Sequence, residues 1–314
     1  MDSSISIDGI REAGRVIDPV FLRTPQFISE PLTARIGVAT VLKVETVNPI
    51  RSFKGRGTDY LLHRLGDSKP ELVCASAGNF GQGMAYACRK RGVRLVVFAS
   101  HTANRLKIAR MRDLGAKIEL EVGDFDQAKD AARRFAEQTG AMFVEDGLLG
   151  PIAEGAGTMA IELSEGEPLD AVFVPLGNGS LVNGVGAWLK KRSGARVVAV
   201  CAEGAPSMAL SWKEHRAVTA RVDTIADGIA VRVPVPEAVR LMSDTVDEVM
   251  LVSDDEMLAA MRMLFYDAGL LVEPAGAAGL AAIKQRASDL RGMRVATILT
   301  GGNLTEQQIR DWIY

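Results

Sequence analysis

From Thr40 onward this chain alternates short apolar runs with longer amphipathic ones, and that alternation restricts the fold more than any single motif. The strand candidates are Val41 to Val44, Leu72 to Ala75, Leu95 to Ala99, Lys117 to Val122, Ala171 to Leu176, Val197 to Ala202 and Val295 to Leu299. Helical patterns lie between them, among them Phe80 to Lys90, Arg105 to Leu114, Gln127 to Gln138, Leu181 to Arg192 and Asp255 to Ala268. Capping signals mark two helix starts, Ser253 with Glu256 and Asn303 with Glu306. Strands that recur between helices predict an α/β fold of open sheets with mainly parallel strands, covered on both faces. A chain of 314 residues has the length for two domains. With no Pro/Gly/Ser-rich linker between the halves, those domains are expected to interweave.

Composition narrows the partners. A net charge of -2 and scattered basic residues give no general attraction to nucleic acid or to an anionic membrane, so a small molecule is the expected ligand. Met1-Asp2-Ser3-Ser4 carries no basic segment leading into an apolar core, and no apolar run reaches the length of a membrane span. A cytoplasmic protein is the resulting expectation. The odd number of cysteines, Cys74, Cys88 and Cys201, lacks metal-ligand spacing and does not fit a disulfide framework, so they read as reduced core residues.

In open α/β sheets ligands gather beyond the carboxyl ends of the strands. Three loops in that position are rich in glycine and small polar residues: Ser76 to Asn79, Gly177 to Ser180, and Thr300 to Asn303. Glycine lets backbone amides approach a ligand, and the helix that follows each loop favours an anion at its start. Gly177 to Ser180 is the best phosphate cradle in the chain. It begins like a dinucleotide fingerprint and Glu203 lies where a ribose-binding acid belongs, but Val182 stands where the third glycine is needed. A fourth stretch, Asn48 to Gly57, places Lys54 between a Pro-containing turn and two glycines. A lysine amine becomes a nucleophile or base where burial or a neighbouring cation disfavours its charge, and Arg51 and Arg56 flank it in sequence.

Taken in order, these parts resemble the fold-type II pyridoxal-phosphate enzymes, and within them the serine/threonine dehydratase and serine racemase group. The resemblance is carried by Arg23-Thr24-Pro25, Asn48 to Gly57, Ala75 to Gly83, Gly155 to Thr158, Val174 to Gly184, Ala226 to Ala230, Glu273 to Ala277 and Thr300 to Asn303, which together cover nearly the whole chain. It implies a tryptophan synthase beta-like fold, with a large pyridoxal 5'-phosphate-binding domain of residues 1-47 and 148-314 and a small domain of residues 48-147. It also implies a homodimer. The family's C-terminal regulatory domain has no counterpart after Thr300, so allosteric control by an amino acid is not expected.

The resemblance assigns roles as well. Lys54 would form the Schiff base with the cofactor aldehyde, beside Phe53, and Asn79 would meet the phenolic oxygen of the ring. Gly177, Asn178, Gly179, Ser180 and Leu181 would hold the phosphate, and Thr300 the pyridine nitrogen. Ser76, Ala77, Gly78 and Asn79 would receive the substrate carboxylate, with Glu273 in the site. The reaction implied is ammonia-lyase or dehydratase chemistry on a β-substituted α-amino acid such as threonine, serine or 3-hydroxyaspartate, giving a 2-oxo acid and ammonia.

Departures from the family pattern bear on that reading. Racemases carry a serine where this chain has Ala77, so elimination with little racemisation is expected. Phe80 replaces the usual His, and the phosphate loop reads Gly-Asn-Gly-Ser in place of four glycines. Arg51 stands where dehydratases have Gly; it reads either as a solvated charge or as the reader of an acidic β-substituent. Glu203 matches the first ligand of a cation site whose second acid falls near Ala209, so no metal is expected. Two alternatives stay open, a cysteine synthase-like β-replacement enzyme and a non-catalytic cofactor-binding protein.

Overall fold

The computed structural model describes residues 3–68 and 70–314. The reading of the amino terminus rests partly on Met1 and Asp2, which lie outside the described residues. The strands are β1 (Gln26–Ile28), β2 (Ala39–Val44), β3 (Leu72–Ala75), β4 (Leu95–Ser100), β5 (Lys117–Glu121), β6 (Met142–Phe143), β7 (Ala171–Pro175), β8 (Arg196–Ala202), β9 (Glu248–Val252) and β10 (Arg294–Leu299). They form two sheets, one of six strands in the order β1-β2-β10-β7-β8-β9 and one of four in the order β5-β4-β3-β6. Apart from the antiparallel β1–β2 pair, neighbours are parallel.

Both faces of each sheet are buried along its central strands, as a run of Val, Ile and Ala without polar alternation requires. In the larger sheet Leu42, Phe173, Val198 and Leu299 belong to one core. Their neighbours Val41, Val172, Val197 and Ile298 belong to another on the opposite face. The helices Asp254–Ala268 and Pro274–Gln285 contribute to the first core, Gly150–Ser164 and Ser180–Arg192 to the second. The smaller sheet repeats the arrangement, with Leu72 and Val97 facing one core and Val73, Val96 and Phe98 another, closed by the helix Phe125–Thr139. Cys74, Cys88 and Cys201 are buried and free, and burial raises the thiols of Cys88 and Cys201 to about 12.

The seven strand candidates and the helical runs match observed elements to within a residue or two. Three strands are added: β1 and β6 are three and two residues long, and β9 is an edge strand. Ser253 and Glu256 form the expected capping box, but the last helix starts two residues later than expected. Its capping box is Thr305 with Gln308, while the Asn303 side chain is buried and its Nδ2 donates to Ile50 O at 2.9 Å and to Asn79 Oδ1 at 2.8 Å. Asn303 is drawn inward by the loops around Lys54, which leaves the cap to Thr305. Among the described residues, no helix is long and apolar enough to cross a membrane.

Candidate active site

Lys54 opens the helix Lys54–Arg64, and the turn before it is held by one side chain. Asn48 Oδ1 accepts from the amides of Ile50 and Ser52, each at 3.2 Å, while Asn48 Nδ2 donates to Glu45 O and Ser52 O. An asparagine folding the backbone back on itself is the usual physics of such turns. Arg51 completes the turn in the left-handed region, at φ 50°. The turn is then fastened to the loop after β10: Ser52 bridges Gly301, the Phe53 amide donates to Thr300 O at 3.1 Å, and the Gly302 amide to Arg51 O at 3.0 Å. The helix itself lies close against Gly150–Ser164, because a Cβ on Gly155 would meet Arg56 O and Gly57 Cα, both at 2.6 Å.

Behind the helix, Arg56 is fully buried in an ionic cluster. Its guanidinium donates to both oxygens of Glu45, to Glu162 and to Thr158, and Lys43 Nζ pairs with Glu162 as well. Burial pushes the Glu162 carboxyl up, but Arg56 and Lys43 outweigh it and hold it below the ordinary range. Arg56 therefore spends its charge away from Lys54, and Arg51 is exposed. The cationic neighbours expected from sequence are replaced by an acid: Lys54 Nζ donates to Asp146 Oδ2 at 2.5 Å. The rings of Phe53 and Phe80 lie 4.7 and 5.8 Å from the same nitrogen.

Lys54 stands where two recesses meet. The smaller is lined by Gly177 to Val182, with Phe53, Asp146, Gly228 and Thr300. Gly179 adopts φ 96°, and the helix that follows has no side-chain cap, so its first amides are free for an anion. The larger recess is a cavity of about 730 Å³ lined by Ser76 to Phe80, Lys107, the segment Asp124 to Asp126, Lys129, Phe143 to Asp146, Asp227 to Arg232 except Ile229, and Glu273. Every residue nominated from sequence for the cofactor or substrate lines one or both recesses except Arg51.

Charged pairs cross the cavity from the smaller sheet's helices to the loops of the larger sheet. Lys107 donates to Asp227 at 2.7 Å and to Glu273 at 3.4 Å. Burial works against its charged form, but Glu273 and Asp227 outweigh this and hold Lys107 above the ordinary lysine range. Glu273 also accepts from Asn79 Nδ2 at 3.1 Å and from the Asn303 amide at 2.5 Å. Arg232 pairs with Asp124 at 2.8 Å and with Asp126. Lys107, Asp146 and Asp227 are among the side chains that sequence reasoning left without a role. Asp227 lies inside a quoted motif, whereas Asp146 is 92 residues from Lys54 in a stretch with no recognisable pattern.

A family model described as "Pyridoxal-phosphate dependent enzyme" matches residues 17–301. The chain is 36% identical over 312 residues to the L-threonine ammonia-lyase of Thermotoga maritima, covering 97% of this chain and 77% of that one. It is 30% identical to a biosynthetic L-threonine dehydratase of Lactococcus lactis, covering 95% and 75%. Among solved structures, maize serine racemase superposes with a TM-score of 0.90 at 28% identity, over 98% of this chain and 96% of that one. A threonine deaminase from T.th. superposes with a TM-score of 0.87 at 29% identity, over 96% and 99%.

Proposed function

The chain belongs to the pyridoxal-phosphate-dependent enzymes, in the fold-type II serine/threonine dehydratase group, and we propose that it is an ammonia-lyase that eliminates the β-substituent of an α-amino acid through Lys54. Threonine, serine and 3-hydroxyaspartate are the substrates first to be tried, with a 2-oxo acid and ammonia as products. The observation that carries this reading is the position of Lys54 Nζ at the meeting point of an anion cradle and a cavity of about 730 Å³.

The residues present fit the cofactor. A Cβ on Gly177 would meet Gly228 O at 2.8 Å and one on Gly179 would meet Ala238 Cβ at 2.9 Å, so the cradle keeps a bare backbone where a phosphate needs amides. Lys54 would hold the cofactor through Nζ, Gly177 to Leu181 would hold its phosphate, and Phe53, Asn79 and Thr300 would border its ring. When bound, pyridoxal phosphate supplies the sink for the electron pair left on the substrate Cα. Thr300 offers that ring a hydroxyl where a carboxylate would favour a protonated nitrogen, which suits elimination. Ser76 to Asn79, at the start of the helix Asn79–Arg91, would bind the substrate carboxylate, and the Asn79–Glu273–Lys107 chain of hydrogen bonds fixes that loop against Asp227. Lys54 Nζ, uncharged, would be the base that takes the Cα proton.

The large cofactor-binding unit is assigned to residues 1-47 and 148-314 and the small unit to 48-147, a division supported by the strands of the smaller sheet, which all fall within 72–143. A cytoplasmic location, expected from sequence, and a homodimer, implied by resemblance, complete the reading, and sedimentation of the holoenzyme at twice the chain mass checks the second. The central test is Lys54→Ala, expected to abolish both the visible absorbance of the bound cofactor and oxo-acid formation. Borohydride reduction of the parent should fix the cofactor on the Lys54 peptide. Retained turnover in Lys54→Ala overturns the assignment.

A further inference from the structure

The cavity holds six carboxylates, and five of them are committed to fixed cations of the chain. Asp124 and Asp126 face Arg232, Glu145 faces Lys129 and Arg133, and Asp227 and Glu273 share Lys107. Asp146 differs. Its cation is Lys54, the one amine that the chemistry takes away. Its side chain is 9% exposed, and Ser180 Oγ, itself held by the Gly147 amide at 2.8 Å, donates to Oδ1 at 2.7 Å. That bond fixes the carboxylate and turns Oδ2 toward Lys54. Asp146 also lines both recesses, which places it where the cradle opens onto the substrate.

We infer that Asp146 selects the β-substituent, and that the preferred substrate class is an α-amino acid carrying an ammonium on Cβ, of the 2,3-diaminopropionate type. This rests on the reading of Lys54 as the cofactor lysine. When Lys54 Nζ is the uncharged base that takes the Cα proton, the buried Asp146 carboxylate has no cation beside it, and leaving such a group uncompensated is costly. A β-ammonium on the substrate restores a charge-assisted pair. A β-hydroxyl supplies one neutral donor, and a β-carboxylate meets repulsion. Arg51, the residue that an acidic substituent would need, lies outside the cavity lining. The chemistry balances: Lys54 takes the Cα proton, the Cβ–N bond breaks with its electron pair leaving on nitrogen as ammonia, and one water converts the remaining enamine to a 2-oxo acid and a second ammonia.

The test uses holoenzyme and three amino acids that cannot lose a β-group, with the shift in cofactor absorbance on titration as the readout. L-2,4-diaminobutyrate is expected to bind about tenfold or more tighter than L-alanine, and L-aspartate more weakly than both. Asp146→Asn should erase the preference for the diamine over alanine, and Asp146→Glu should restore part of it. In turnover, L-2,3-diaminopropionate should exceed L-serine in kcat/KM and release two ammonia per oxo acid. Equal binding of the three ligands by the parent overturns the inference without recourse to any variant, as does an unchanged preference in Asp146→Asn. If Lys54→Ala keeps the cofactor absorbance and the turnover, it is the cofactor-lysine reading that fails.

Discussion

Ala77 ends at Cβ, with no proton to exchange, in a loop that lines the same cavity as Lys54. Elimination should therefore outrun racemisation, and a chiral assay of L-serine turnover is expected to find oxo acid with little D-serine. Ala77→Ser adds a hydroxyl to the recess that Lys54 lines and should raise D-serine formation well above the parent's. Arg51 gives the contrary case. The sequence made it a candidate reader of an acidic substituent, but its side chain is exposed and the cavity is lined without it. Arg51→Gly should leave the ratio of kcat/KM for 3-hydroxyaspartate over serine within about twofold of the parent, as surface substitutions usually do. The positive φ of 50° at this position gives glycine no steric disadvantage. Asp146 was beyond any reading of the sequence, because an acid gains this role only when the fold brings it to a lysine 92 residues away.

Among the elements, those with continuous apolar runs were legible: β3, β4, β7, β8 and β10 are buried along most of their length, and period and length alone mark them. β1 and β6 were not, since two or three residues carry no period, and tertiary pairing with β2 and β3 is what makes them strands. The helix crossing that carries Lys54 depends on glycine in a way that motif spacing hinted at without explaining. Gly155→Ala would drive a methyl into Arg56 O and Gly57 Cα, so it should cost about 1–3 kcal/mol in denaturant unfolding and weaken cofactor retention by moving Lys54. Gly14→Ala, in the helix Ile7–Val16, is the matched control. A Cβ there meets Ile161 at an ordinary 3.5 Å, and the change should be neutral or stabilise by up to about 1 kcal/mol.

Over the whole molecule, the buried cluster of Lys43, Glu45, Arg56 and Glu162 joins β2, the Lys54 helix and the helix Gly150–Ser164 across the two proposed units. Removing one partner strands the others, so Glu162→Gln should lower stability by about 3–5 kcal/mol. The pH dependence has a defined sign. The Glu162 carboxyl is held below its ordinary 4.5, so the unfolded chain binds the extra proton; the contribution is complete above about 4.5 and is lost as pH falls further. Stability of the parent should fall more steeply below pH 4.5 than that of Glu162→Gln, measured by urea midpoints across the acid range.

β10 lies third in the six-stranded order although it is the last of the described strands in sequence. The ribosome therefore delivers the Lys54 turn long before the strand that fastens it, and Ser52, Phe53 and Arg51 must wait for Gly301, Thr300 and Gly302. A nascent chain that has not yet released Arg294 to Leu299 leaves β2 and β7 without their common neighbour. Competence to take up the cofactor should then be acquired in one late step of synthesis, with chains arrested before Arg294 exposing the lysine but retaining none of the cofactor.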